Sequence, residues 1–306
     1  MRILVVGAGA TGGYYGGRLA QAGRDVTFLV RPRRAEVLAE RGLRIRQGVD
    51  GPAERVDVRT VVRERLDGPY DVVILAVKAF ALDDAVRDFA PAVGPDTAVV
   101  PFLNGIAHLD TLRASFGQAN VYGGVCYLVS TLADDGDIVQ LPGPEQLRYG
   151  NLHDTQHAER VHQALAGAGF PAELSDSIEL DMWEKWVFLA SVTAVTCLMR
   201  GTVGDVNAVP GGTDLATAVA EEAGRVAAAA GFASRPDAAQ RLVATLTQAG
   251  SPLTSSVYRD LRQGRRLENE AVIGDLVRRA RDLGVATPLL AATDVNLAVH
   301  ERARTA

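Results

Sequence analysis

Three sets of residues in this chain have the types and spacing to do chemistry: an N-terminal glycine run, a group of arginines, and a lysine on an apolar helix face. The glycine run is Gly7-Ala8-Gly9-Ala10-Thr11-Gly12, a complete G-x-G-x-x-G. It follows directly on Ile3 to Val6, an apolar run long enough only for a buried strand. Tyr14 to Gln21 can continue as helix, and Val26 to Val30 supplies a second strand at the spacing of a βαβ unit. In that setting each glycine has its own task. Gly7 allows a tight turn, Gly9 lets backbone approach a pyrophosphate, and Gly12 lets the helix pack closely on the strand. The phosphates would rest against the N–H groups of Ala10, Thr11 and Gly12 at the helix start, with Ala8 in the turn itself. A purely structural turn is the bland alternative, and the strand and helix on either side argue against it.

The arginines indicate which dinucleotide. An NAD site usually places Asp or Glu at the end of the second strand to accept bonds from the ribose 2′-hydroxyl. This chain has Arg31, then Arg33 and Arg34, and no acid before Glu36. A guanidinium pairs with a 2′-phosphate in a fork, whereas a carboxylate repels it, so NADP is the expected cofactor. A solvated loop accounts for Arg33 or Arg34 better than for Arg31, which directly follows the strand.

The lysine is Lys185. It heads a helical stripe with Leu189, Val192 and Thr196, at steps of three and four, and Trp183 and Trp186 flank it. Hydride transfer to a ketone needs a proton donor for the developing alkoxide, and an ammonium can donate and stabilise charge together. A lysine can also snorkel from an apolar face without any catalytic task. Among the histidines, His108, His153, His157, His162 and His300 show no metal spacing, so no metal is expected. No G-x-S-x-G elbow is present for a hydrolase.

The elements that must position these residues fall into two halves. Val72 to Val77 and Thr97 to Phe102 read as further buried strands, delivering Lys78 and Asn104-Gly105 at their carboxyl ends, where open parallel sheets bind ligands. The turns carrying Gly9, Lys78 and Asn104 are therefore expected to converge. Leu43, Ile45, Val56 and Val58 suggest a strand pair outside that core. Val121 to Leu132, Asp137 to Leu141 and Gln146 to Gly150 look antiparallel around an Asp135-Gly136 turn. His157 to Ala166 reads as a helix and Phe170 to Leu174 as a last strand. From Ser175 the pattern is helical throughout. Asp176 and Glu179 have capping-box spacing for a helix running to about Met199; Pro252 introduces a later helix, and Leu267 to Leu283 is amphipathic. The expectation is an α/β Rossmann-type dinucleotide-binding domain over residues 1–174 and an all-α substrate domain over residues 175–306.

Composition agrees. A length of 306 residues suits two domains, and 47% hydrophobic with 23% charged content is ordinary for a globular chain. A formal net charge of −5 argues against nucleic acid or an anionic membrane as the main partner. Cys126 and Cys197 cannot form a disulfide framework, no signal-like segment precedes the nucleotide fold, and Val187 to Met199 is too short to span a bilayer. A cytoplasmic location is expected.

These residues resemble the ketopantoate reductase (2-dehydropantoate 2-reductase) family over essentially the whole chain. The resemblance is carried by the glycine fingerprint with Arg31, by Ala76-Val77-Lys78-Ala79, and by Asn104-Gly105. It continues with Trp183-Glu184-Lys185 and with Ser255-Ser256 followed by Asp260 and Glu268. The resemblance implies NADPH-dependent reduction of a small 2-keto acid to the 2-hydroxy acid, of the ketopantoate-to-pantoate kind in pantothenate biosynthesis. It implies Lys185 as proton donor, Lys78 and Asn104 near the nicotinamide end, Ser256 on substrate, and Glu268 on the cofactor ribose or the substrate. The expected partner is a small 2-keto acid, with a homodimer open to the chain. The family has asparagines four and eight residues after the lysine, and here those substrate positions are Leu189 and Thr193. The alternatives are therefore a family member acting on a more apolar 2-keto acid, a β-hydroxyacid dehydrogenase relative, or a non-catalytic NADP-binding sensor.

Overall fold

The computed structural model describes residues 1–152 and 158–305. By compactness the chain forms two units, Met1–Leu103 with His108–Glu179, and Asn104–Ala107 with Leu180–Ala306. The change of pattern at residue 174 precedes this junction because the approach to the long helix lies on the first unit. The Ser175 N–H bonds the Tyr149 carbonyl at 2.8 Å, and a Cβ on Gly150 would stand 2.7 Å from the Ser175 carbonyl.

The first unit alternates strand and helix: β1 (Arg2–Val6), α1 (Ala10–Gln21), β2 (Asp25–Leu29), α2 (Pro32–Arg41), β3 (Leu43–Gln47), β4 (Ala53–Val56), β5 (Arg59–Val61), β6 (Val72–Leu75), α3 (Leu82–Phe89), β7 (Ala98–Pro101), α4 (Ala107–Phe116), β8 (Tyr122–Leu132), β9 (Ile138–Asn151), α5 (Ala158–Leu165) and β10 (Ala172–Leu174). A parallel sheet of order β5-β2-β1-β6-β7 forms the nucleotide-fold core. Its β6 and β7 are buried along their whole length, as strands covered on both faces must be. A second sheet of order β10-β9-β3-β4, with β8 on β9, stands beside it. Helix α1 lies between the two, and its glycines make this feasible. A Cβ on Gly12 or Gly16 would press Ala76 at 2.7 Å or Phe28 at 2.6 Å on the parallel sheet. One on Gly13 or Gly17 would press Ile138 at 2.4 Å or Leu43 at 2.7 Å on the other.

The structure departs from expectation at several points in this unit. The residues after Arg31 form helix α2 rather than a loop, because Pro32 suits the first helical position. Leu43, Ile45 and Val56 do pair, in β3 and β4, but Val58 lies outside them and the next residues cross to the parallel sheet as β5. The two segments after the Asp135-Gly136 turn are one strand, β9, with a bulge between Leu128 and Ser130 on its partner. The helix expected from His157 to Ala166 is seen as α5 over Ala158–Leu165, while His153 and His157 lie outside the described residues.

The second unit contains α6 (Ile178–Met199), α7 (Val203–Asn207), α8 (Gly212–Ala229), α9 (Pro236–Leu246), α10 (Ser256–Arg262), a π-helical turn (Glu270–Gly274), α11 (Asp275–Asp282) and α12 (Pro288–Thr305). Here too expectations shift. Helix α6 starts at Ile178, and just ahead of it the Ser175 hydroxyl accepts the Ser177 N–H at 3.1 Å. Thr202 and Asp205 form a reciprocal capping box on α7. Pro252 is followed by chain outside any helix or strand, and α10 begins only where the Ser255 hydroxyl accepts the Tyr258 N–H at 3.0 Å. The amphipathic stretch from Leu267 is interrupted by the π turn. Buried Glu222 of α8 accepts the Leu289 and Leu290 N–H groups and so caps α12. Among the described residues no helix is long and apolar enough to cross a membrane.

Candidate active site

In the first unit the carboxyl ends of the three central strands are level. Val6 pairs with Leu75, and Leu75 with Pro101. Gly7, at φ +99°, turns the chain so closely past β6 that a Cβ would lie 3.0 Å from the Ala76 carbonyl, and one on Gly12 would lie 2.2 Å from the Gly7 carbonyl. Gly9 differs, for a Cβ there meets nothing within 4 Å. It is the N-cap of α1, with no side-chain cap and no acidic residue in the first turn. The leading N–H groups of α1, on half-buried Ala10 and Thr11 and buried Gly12, carry the positive end of the helix dipole beside that open space. These residues fit a dinucleotide pyrophosphate. Ala8 is buried beneath the turn. Lys78 is exposed and opens a short 3₁₀ turn after β6.

Arg31 is the N-cap of α2. It is exposed, and its guanidinium has no partner among the described residues. Arg33 is exposed as well. Arg34, by contrast, is half-buried and turns to the β8–β9 hairpin, where Nη2 donates to the Gly136 carbonyl at 3.3 Å. Burial, and then the Arg41 charge, lowers the pKa of Arg34. Of the two arginines best explained by a solvated loop, one therefore has a structural task.

In the second unit, Lys185 is buried at 8% exposure, between Trp183 and Trp186 at 2% and 1%. The Trp186 Nε1–H donates to the Val272 carbonyl in the π turn at 2.9 Å. Gly105, at φ +73°, touches the same turn, since a Cβ there would lie 2.3 Å from the Ala271 carbonyl and 3.8 Å from Trp186 Nε1. Glu268, 6% exposed, leads into that turn, its carbonyl accepting the Val272 N–H at 3.2 Å. Three sequence segments are thus locked together through residues next to, or close behind, half-buried Asn104, Lys185 and Glu268. Asn104 belongs with this unit rather than with the nucleotide fold that delivers it. The lock was not legible beforehand. Its one trace in the sequence is the glycine after Asn104, which a left-handed backbone favours.

Further along α6, Leu189 is half-buried and Thr193 is 1% exposed. Ser191 and Thr196 donate back to the Val187 and Val192 carbonyls at 2.7 Å, whereas the Thr193 hydroxyl has no hydrogen-bond partner among the described residues. Ser256 is the half-buried first residue of α10. Its neighbour Ser255 is the cap, 3.3 Å from the Thr196 hydroxyl, so α6 and α10 are joined just beside Ser256. The histidines have other tasks: His162 Nδ1 is 2.9 Å from the Tyr149 hydroxyl, and His108 is buried in α4.

Two family models cover most of the chain, Ketopantoate reductase PanE/ApbA over residues 3–154 and Ketopantoate reductase PanE/ApbA C terminal over residues 177–297. The chain belongs to the ketopantoate reductase family. An uncharacterized oxidoreductase of Bacillus subtilis (strain 168), YkpB, is 32% identical over 98% of this chain and 99% of its own. A 2-dehydropantoate 2-reductase of Archaeoglobus fulgidus is 30% identical over 93% and 92%. The crystal structure of a PanE/ApbA family ketopantoate reductase from Ralstonia eutropha JMP134 superposes with a TM-score of 0.89 at 27% identity, covering all of both chains. Members of the ketopantoate reductase family are nicotinamide-dependent oxidoreductases acting on CH–OH groups, and this chain is one of them.

Proposed function

We propose that the protein reduces a small 2-keto acid to the 2-hydroxy acid with NADPH, and that Lys185 is the proton donor. The observation that supports this is the lock in the second unit, in which Gly105, Trp186 and the π turn join the segments of Asn104, Lys185 and Glu268, with Lys185 itself buried. Gly7 to Gly12 and Arg31 hold the cofactor, with Lys78, Asn104 and Glu268 also assigned to it. When bound, the reduced nicotinamide supplies a hydride. Lys185 bonds the keto oxygen through its ammonium and gives it a proton as negative charge develops there, then recovers a proton from water. Burial of the lysine strengthens that interaction by excluding water. Asn104 and Ser256 orient the substrate.

Leu189 and Thr193 favour a substrate more apolar than ketopantoate. Leucine offers no hydrogen bond, and Thr193 offers one uncommitted hydroxyl, where the family pattern has two amides. An alkyl or aromatic group against Leu189 gains what a polar one loses. Pantothenate biosynthesis follows only if ketopantoate itself is turned over efficiently.

The donor assignment is tested with Lys185→Ala. Turnover falls by about 10²–10⁴-fold while NADPH still binds. Near-normal turnover would move the donor elsewhere, with Lys78 the next candidate.

A further inference from the structure

The helix that carries Lys185 is held on both sides of that residue. On the C-terminal side Trp186 is bonded to the π turn, as described. On the N-terminal side, Glu184 accepts three hydrogen bonds from one residue, Arg235. The Arg235 backbone N–H and Nε reach Oε1 at 2.8 and 2.9 Å, and Nη2 reaches Oε2 at 2.7 Å. The same Nη2 also bonds Asp181. Both carboxylates are largely buried, with side-chain exposures of 4% for Asp181 and 12% for Glu184. Their bonds to Arg235 push its pKa up, Glu184 most. Between them in sequence, Trp183 stacks on Phe232 with ring centroids 5.4 Å apart and planes 13° apart, just ahead of Arg235 in the chain.

Two buried carboxylates and a guanidinium are a poor way to gain stability, because apolar residues of similar volume usually do at least as well. A planar fork gives direction instead: several bonds from one rigid group hold a helix turn at one rotation and one height. Asp181 and Glu184 are three residues apart, so they lie on one face of α6, and Asp181 is one full turn before Lys185. A proton donor gains most from such a constraint, since a displacement of about 1 Å at a reacting group costs on the order of 10²-fold in rate.

We infer that Arg235 is a positioning residue for proton transfer: through Glu184 and Asp181 it fixes the turn of α6 that presents Lys185. Arg235 need not touch substrate. The inference rests on Lys185 being the donor.

Steady-state kinetics, NADPH binding and thermal unfolding of Arg235→Ala, Arg235→Lys, Lys185→Ala and the Arg235→Ala/Lys185→Ala double variant test it. Arg235→Ala should lower kcat by about 10- to 100-fold, with KM and NADPH affinity changing by less than about three-fold. Arg235→Lys keeps the charge without the fork and should lose nearly as much. The double variant should be no slower than Lys185→Ala alone, because the brace acts only through the lysine. Should Arg235→Ala fail to fold, Glu184→Gln is held to the same outcomes. Wild-type kcat in folded Arg235 variants beside a crippled Lys185→Ala overturns the brace alone, and so does a loss that adds fully to that of Lys185→Ala. Normal turnover in Lys185→Ala overturns the donor assignment, and the brace with it.

Discussion

On the proposed reading, cofactor and substrate choice turn on two residues, Arg31 and Leu189. Arg31 is exposed at the N-cap of α2 with an uncommitted guanidinium. A charge-assisted pair with a 2′-phosphate is worth about 1.5–3 kcal/mol, or roughly ten- to a hundred-fold in affinity. Titrating NADPH and NADH into wild type and Arg31→Ala should show a preference for NADPH that the substitution removes; equal preference in the wild type would contradict it. At Leu189, losing an amide against a polar substrate costs about 1–3 kcal/mol where nothing compensates. Leu189→Asn should therefore raise kcat/KM for ketopantoate and lower it for 2-keto acids with alkyl or aromatic groups. Wild-type efficiency with ketopantoate above about 10⁴ M⁻¹s⁻¹, with no gain in Leu189→Asn, would show that the pocket is not altered. Residue types at these positions were legible in the sequence because charge and hydrogen-bonding capacity are properties of the side chain itself. The structural task of Arg34 was not, since the Gly136 carbonyl it bonds lies in a distant hairpin.

Gly9 and Gly105 show two different uses of glycine within elements, and they separate experimentally. At Gly9 φ is −85° and a Cβ meets nothing, so Gly9→Ala should leave the melting temperature nearly unchanged while weakening NADPH binding. At Gly105 φ is +73° and a Cβ would strike the Ala271 carbonyl at 2.3 Å. Gly105→Ala should thus destabilise the second unit by about 1–3 kcal/mol and lower kcat, since Trp186 and the π turn must shift. Calorimetry with a cofactor titration reads both; a large loss of stability in Gly9→Ala, or none in Gly105→Ala, would contradict this. Strand, turn and helix around Gly7 to Gly12 were readable because they follow from local periodicity. The π turn was not. It sits inside an amphipathic pattern that fits an ordinary helix, and it is held from far along the chain, its Val272 carbonyl accepting from Trp186 and its Ala271 carbonyl lying close against Gly105. Helix α10 eluded the same logic, because Ser255 rather than Pro252 marks its start.

At the scale of the whole molecule, the division into an α/β unit and a helical unit followed from the loss of strand pattern after residue 174, while the transfer of Asn104–Ala107 to the second unit depends on packing that no local pattern encodes. Buried ionisable groups tie stability to pH. Burial pushes the Cys197 thiol up to about 12 from an ordinary 9.0. Above pH 9 the unfolded chain releases a proton that the folded chain keeps, so stability falls as pH rises from 9 towards 12, by about 1.4 kcal/mol per pH unit. Tyr15 and Tyr149, both raised chiefly by burial, extend the loss above the ordinary tyrosine range. Urea midpoints at about pH 8 and pH 10 should fall in the wild type and fall less in Cys197→Ala; identical declines in the two proteins would remove Cys197 from the explanation. The central claim is that the whole assembly carries out NADPH-dependent reduction of a 2-keto acid. Its most direct test is NADPH consumption by the purified protein across a panel of small 2-keto acids, with the 2-hydroxy acid identified as product. The expected result is turnover that is strongest with an alkyl- or aryl-bearing member and weak with ketopantoate. NADPH binding without consumption of any member of the panel would contradict the claim and leave a cofactor-binding sensor in its place.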